Sequence, residues 1–285
     1  MTSRKKQWAE RFKPNTLRGK PLSYNAGLAA TYDNDLQRLI DAMVADVEKQ
    51  VRKLFSGEAA EQFYAEDASI ASQARMLMNS LTASYTQLFG SKAKPISSKM
   101  VRGANRTSKA SLHSSLKELS GGLSLNTGLV PPALEEALSA AVSENVQLIK
   151  TIPQAYLSQV QGAVMRSIQP GGNGLQDLVP FMQSRKEITK RHARNVALDQ
   201  TRKAFNAANA ERMQSLGVKK FEWIHSGGGA EPRELHVKMS GSTYSFDDLP
   251  VIGVMYGAEV RGIPGQLPNC RCTMRPVIEF EDDGP

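Results

Sequence analysis

Cysteine is almost absent from this chain: Cys270 and Cys272 are the only two in 285 residues. That excludes a disulfide framework as the source of the fold. Long apolar runs are missing as well. No stretch approaches the ~20 residues that a bilayer-spanning helix needs, and no apolar segment follows the charges of Arg4, Lys5 and Lys6 as in a secretory leader. A soluble chain made in a cytoplasm is expected, with no membrane partner. Aromatics are scarce at 6%, while alanine and serine are plentiful, so the core is expected to come from helices packed closely through small residues. Acidic residues vanish from one long segment: between Ala68 and Lys117 stand Arg75, Lys92, Lys94, Lys99, Arg102, Arg106, Lys109 and Lys117 without a single Asp or Glu.

What is present is an ordinary globular mixture, 40% hydrophobic and 22% charged, and the length suits two folding units. The net charge of +8 is concentrated in the acid-free segment and in the first twenty residues, where Arg4, Lys5, Lys6, Arg11, Lys13, Arg18 and Lys20 face Glu10 alone. Such blocks suit contact with nucleic acid or with an acidic protein surface, and equally suit a solvated face that keeps the chain soluble. No nucleic-acid module signature accompanies them, so sequence-specific binding is not supported.

Pro14, Gly19, Pro21 and Gly27 punctuate an extended basic arm over residues 1–32. Asp33 is read as the cap of a helix whose apolar stripe runs through Leu36, Ile40, Met43, Val47, Val51 and Leu54. A second stripe, Ile70 to Leu88, ends before Gly90 and Pro95. Residues 91–130 read as a Ser, Lys and Gly rich connection, so the units are expected to divide into 1–130, an arm and helical region facing portal or DNA, and 131–285. Pro132 and Pro153 each open a helix, and a short one follows around Leu178. Ser184 and Glu187 form a capping box for the next, which Gly217 stops. That last helix carries a polar line, His192, Asn195, Asp199, Arg202, Asn206 and Asn209, which is either a solvated face or a buried network. Asp199 and Arg202 are expected to hold the helix against the strand that bears Trp223.

Beyond Gly217 the grammar turns to strands. Phe221, Trp223 and His225 alternate with Glu222 and Ile224, Tyr244 with Phe246 suggests a second strand, and residues 250–268 look loop-dominated. Cys270, Cys272, Met274 and Ile278 share the parity of a closing strand before an acidic tail. The fold class is therefore α+β and mainly helical, with a helical lead-in to a small antiparallel β subdomain. Cys270 and Cys272 on an extended strand would face one pocket while Arg271 turns away. With His236 they offer three good zinc ligands, and His225 is the candidate for a fourth. The alternative is a pair of reduced, packed cysteines with His236 bonded to backbone.

The succession Asp199, Arg202, Gly217, Trp223, Arg233, His236, Gly241, Pro264, Gly265, Asn269, Cys270, Arg271 and Cys272 resembles the phage Mu F-like minor head protein family, also called the phage head morphogenesis domain, over roughly residues 140–278. The resemblance implies a low-copy virion component inside the head near the portal vertex, needed for head assembly or DNA delivery, and present in the host cytoplasm during assembly. Portal protein and major capsid protein are the implied partners, with genomic double-stranded DNA as a further contact through the basic blocks. Many relatives resemble a pattern with two cysteines where this chain has Arg233 and His236, and with a histidine where it has Leu267. That departure argues against a four-ligand metal site. A hydrolase reading, with Cys270 or Cys272 as nucleophile and His236 or His225 as base, lacks a nucleophile elbow, a phosphate loop and a catalytic acid. A protein without catalytic residues or a small-molecule substrate is expected.

Overall fold

The computed structural model describes residues 16–56, 69–119, 126–227 and 231–279. Residues 1–15 of the expected arm, with Arg4, Lys5 and Lys6, the glycine turn at 228–229 and the acidic tail from residue 280 lie outside the described residues. In chain order the elements are β1 (Thr16–Arg18), α1 (Ala26–Ser56), α2 (Ile70–Leu119), α3 (Pro132–Ser167), α4 (Leu175–Ser215), β2 (Lys220–Ile224), α5 (Glu234–Lys238), β3 (Thr243–Ser245), β4 (Val251–Met255), β5 (Ala258–Arg261) and β6 (Thr273–Glu279). The chain is mainly helical with a small antiparallel sheet towards its C-terminus. No helix among the described residues is long and apolar enough to cross a membrane.

The helices outrun the boundaries expected from their punctuation. α1 starts at Ala26, because Ala29 and Tyr32 extend the buried stripe of Leu36, Ile40, Met43, Val47 and Val51 by further steps of three and four. Asp33 is thus inside the helix, where its carboxylate accepts from Gln37 Nε2 at 2.6 Å. α2 runs through Gly90 and Pro95 into the stretch expected to be a connection. Phe89, Ala93, Met100, Val101, Ala104 and Leu112 are buried along it, and each large apolar side chain removed from water contributes roughly 1.5–3 kcal/mol. That outweighs the ~3 kcal/mol that an interior proline costs. α3 passes through Pro153 for the same reason, with Ile152, Tyr156 and Leu157 buried around it. The Ser184–Glu187 box lies inside α4, since Leu178 and Met182 already anchor the preceding turns. Gly217 does end α4: at φ +78° it lets the Val218 N–H reach back to Met213 O at 2.9 Å.

Two compact units emerge, and neither is a continuous stretch of chain. One comprises Ala26–Gly103 and Ser139–Thr201 and is built from α-helices, with a turn over residues 168–174 between α3 and α4. Its buried polar centre is Asn145, which accepts from Tyr32 Oη at 2.8 Å and donates to Ala141 O and Gln200 Oε1. Burial pushes the Tyr32 phenol above its ordinary value. On the surface of this unit, Asp41 lies 3.0 Å from both Lys186 and Lys190. Burial alone would raise its carboxyl, but the two ammonium groups prevail and hold it below the usual range.

The other unit takes in residues up to Asn25, Ala104–Leu138 and Arg202–Pro285. Its sheet has the order β1-β6-β2-β3, all antiparallel, with Trp223 opposite Met274 and Leu17 opposite Ile278. β4 and β5 form a separate hairpin in the stretch expected to be loop. Glu222 on β2 is 4% exposed and is held between Arg18 at 3.0 Å and Arg275 at 2.5 Å. Arg212, 2% exposed, donates to Thr127 O and Leu129 O, both at 2.9 Å, and to Asn105 Oδ1. It is a buried cation whose two terminal nitrogens donate to carbonyl oxygens. Its removal leaves those acceptors dry.

Arg212→Ala is expected to lower unfolding free energy by about 3 kcal/mol, read from urea midpoints at unchanged m-value. For Asp41, the folded carboxyl lies below its unfolded value, so its contribution is present above the usual range and disappears as pH falls through the lowered value. Melting temperatures of wild type and Asp41→Asn should therefore differ at neutral pH and converge below about pH 4.

Candidate functional site

Three segments without a shared sheet ladder converge on one ring. Arg233 opens α5 and donates to Pro268 O at 2.9 Å, which brings His236 on α5 over the 267–272 segment. Cys270 follows a turn in which its N–H bonds to Leu267 O at 3.1 Å and Asn269 takes φ +59°. The cysteines therefore precede β6 and do not lie on it, a correction to the expected strand parity, made because the turn at 267–270 must lead the chain into the strand. Both sulfurs nevertheless face His236, and Arg271 between them is exposed.

His236 is 2% exposed, Cys270 3% and Cys272 4%. The histidine Nε2 is 2.9 Å from Ile252 O, and a carbonyl can only accept, so Nε2 carries the proton. Nδ1 then offers its lone pair to Cys270 Sγ at 3.4 Å and Cys272 Sγ at 3.8 Å. The Trp223 indole covers the imidazole edge-on, with ring centres 5.0 Å apart. The three ligand atoms all lie within 4.8 Å of one another. Tetrahedral zinc with S and N ligands has donor-to-donor edges of roughly 3.5–3.8 Å, so the nitrogen-to-sulfur spacings suit such an ion. A histidine whose second nitrogen donates to a backbone carbonyl is also the usual arrangement behind a metal ligand.

The two thiols differ in acidity. Hydrogen bonding from the Cys272 thiol, helped by the backbone N–H groups of Cys272 and Gly265, holds Cys270 below the ordinary thiol range against the opposing effect of burial. Cys272 is pushed upward by the same bond and by burial. The Trp223 indole N–H opposes that rise, although it has no hydrogen-bond partner of full geometry.

Other residues of the motif serve this centre at one remove. Asn206 Nδ2 donates to Cys272 O at 3.4 Å, and a Cβ on Gly265, whose φ is +81°, would stand 2.4 Å from that nitrogen. Gly241, at φ +85°, returns its N–H to Trp223 O at 2.9 Å. Leu267 is buried and lies against Gly253. Arg233 and Leu267 thus join, through a hydrogen bond and apolar packing, segments where the resemblance implies metal ligands in relatives.

His225 does not join the group: among the described residues only His236, Cys270 and Cys272 come together. Its Nδ1 instead accepts from the Gly227 N–H at 3.2 Å, because it lies past the end of β2 at the start of a turn. Arg202 is engaged by Tyr24 of the same unit. Its guanidinium lies 4.9 Å over the Tyr24 ring and donates to Tyr24 Oη at 2.9 Å. The polar line on α4 divides, with His192 and Asn195 exposed, Asp199 half-buried, and Asn206 and Asn209 buried. Asn209 accepts from Ser108 Oγ at 3.0 Å.

Residues 158–275 match the phage Mu protein F-like family. The Mu F-like region thus contains the whole Cys–His centre, Trp223, Asn206 and the β4–β5 hairpin. The chain is 27% identical over 263 residues to an uncharacterized protein of Haemophilus influenzae, a match covering 91% of this chain and 55% of the relative. It is 28% identical over 123 residues to the uncharacterized protein YqbB of Bacillus subtilis, covering 41% of this chain and 40% of that protein. The chain spans about half the length of these curated relatives or less. No solved structure matches it significantly.

Proposed function

We propose that this protein is a minor head component of a tailed bacteriophage, seated inside the head near the portal vertex, where it serves head assembly or DNA delivery without catalysing a reaction. The observation that carries this is the Mu F-like region over residues 158–275, in which His236, Cys270 and Cys272 come together buried. The portal and major capsid proteins are the partners this reading implies.

The docking surface we assign is the acid-free stretch of α2. Lys92, Lys94, Lys99 and Arg102 are all exposed. Lys92, Lys99 and Arg102, spaced by seven and three, share one helix face, with Lys99 also 2.7 Å from Asp35. Arg106 is exposed further along the same helix. A concentrated positive face suits either an acidic portal surface or DNA phosphates, and the latter defines the second reading, a DNA-contacting packaging or ejection accessory.

We also propose that His236, Cys270 and Cys272 hold a structural zinc ion. The unprotonated Nδ1, the sulfur spacings and the burial of all three residues support it. Zinc would supply cohesion between α5 and the 267–272 segment, with no role in bond-making.

Reversal of Lys92, Lys94, Lys99 and Arg102 to Glu is expected to abolish incorporation into phage heads, scored in purified particles; normal incorporation removes the assignment. Retention of wild type on duplex DNA that falls steeply with salt and is lost in the same variant would assign the face to DNA. For the metal, elemental analysis of protein purified without chelator should give about one zinc per chain, lost together with stability in Cys270→Ser. Metal-free protein that melts identically with and without chelator would leave two packed thiols.

A further inference from the structure

The β4–β5 hairpin closes with Met255 opposite Ala258, so only Tyr256 and Gly257 form the turn. Both adopt positive φ, +52° and +82°, the left-handed pair that a two-residue turn of this type requires. Glycine suits its position. Tyrosine does not: asparagine, aspartate and glycine are the residues that take the first position readily. Among the described residues no packing compensates, because Tyr256 is 102% exposed. Val254 at 66% and Met255 at 38% are exposed beside it. The root of the hairpin, by contrast, is held firmly, by Ile252 O on His236 and by the Arg261 guanidinium on Leu249 O. The result is an anchored knob with an apolar aromatic tip.

The same unit carries a socket. Ala207, Ala210, Phe246, Leu249, Ile263 and Pro264 line a cavity of about 220 Å³. A cavity of ~150 Å³ admits benzene, so this one has room for a phenol ring. Its polar lining, Lys203, Glu211, Gln214 and Gln266, offers partners for a phenolic hydroxyl. Glu259, opposite Val254 on the hairpin, and Lys203 at the socket are of opposite charge. Tyr256 is fully exposed and therefore does not fill the cavity of its own chain.

We propose that the Tyr256 tip of one copy docks into the Ala207–Phe246–Ile263 cavity of a second copy. The two surfaces are different patches, so the contact is head-to-tail, of the kind that builds rings or chains and not two-fold dimers. A knob of this size buries less than the ~1,000 Å² of a stable interface, which makes the association weak and concentration-dependent. This inference does not rest on the head-protein reading.

Sedimentation velocity of the full chain over a wide concentration range tests it, with two variants. Wild type is expected to associate as concentration rises. Tyr256→Asn should abolish association while melting at the same or a higher temperature, because asparagine suits the turn better. Ala207→Trp, which fills the socket, should also abolish it with no loss of folded circular dichroism. Mixing the two variants should restore one knob-to-socket contact and give dimers that go no further. A wild type that stays monomeric, or association that survives both substitutions, overturns the proposal. So does a Tyr256→Asn variant that melts lower, since the tyrosine would then be packing within its own chain. Loss of head incorporation in Tyr256→Asn with a monomeric wild type would assign the tip to another head protein and reject a second copy.

Discussion

The hydrogen bond from His236 Nε2 to Ile252 O organises the Mu F-like end of this protein. It fixes the imidazole tautomer, turns the Nδ1 lone pair to two thiols, and secures the root of the β4–β5 hairpin. Around that ring lie Trp223 from β2, Asn206 from α4 through the Cys272 carbonyl, and the 267–272 segment leading into β6. Of these elements only β2 and β6 share a ladder. A small buried polar centre thus ties together segments that a larger apolar core would otherwise have to hold. The same economy recurs at Arg212, where one buried guanidinium gathers three acceptors from distant parts of the sequence.

In the helical unit the governing fact is continuity of apolar burial. Gly90, Pro95 and Pro153 are each a plausible stop, yet α2 and α3 pass through them. Local propensity is worth about 1–3 kcal/mol at any one of these positions, and several buried side chains per turn exceed it. The exposed basic residues of α2 are carried on the outer side of a helix whose other side is packed. Among them, Lys99 also meets Asp35 of the same unit. That separation is consistent with a face kept for a partner and a region kept for cohesion.

The sequence by itself determined the element types of most of the chain. The three-and-four stripe of α1, the Gly217 stop and the β2 alternation around Trp223 were all legible, since each depends on spacing or on one residue's backbone freedom. The mainly helical α+β class followed from them, and the ordered motif pointed to the Mu F-like family. The hairpin at 251–261 was missed because Tyr-Gly stands where Asn-Gly would have announced a turn, and because Gly253 interrupts an otherwise β-branched run.

Tertiary structure alone decided where helices end, which polar residues of α4 are buried, and which side chains meet. Asn206 and Asn209 read no differently in sequence from Asn195, yet only the first two are covered by other segments. His225 and His236 are equally good ligands on paper. One lies at the mouth of a turn and the other is carried inward by α5, whose placement depends on Arg233 reaching a carbonyl 35 residues away. Spacing along a chain specifies local direction, whereas burial and ligand geometry depend on contacts between segments that are remote in sequence, which no local pattern encodes.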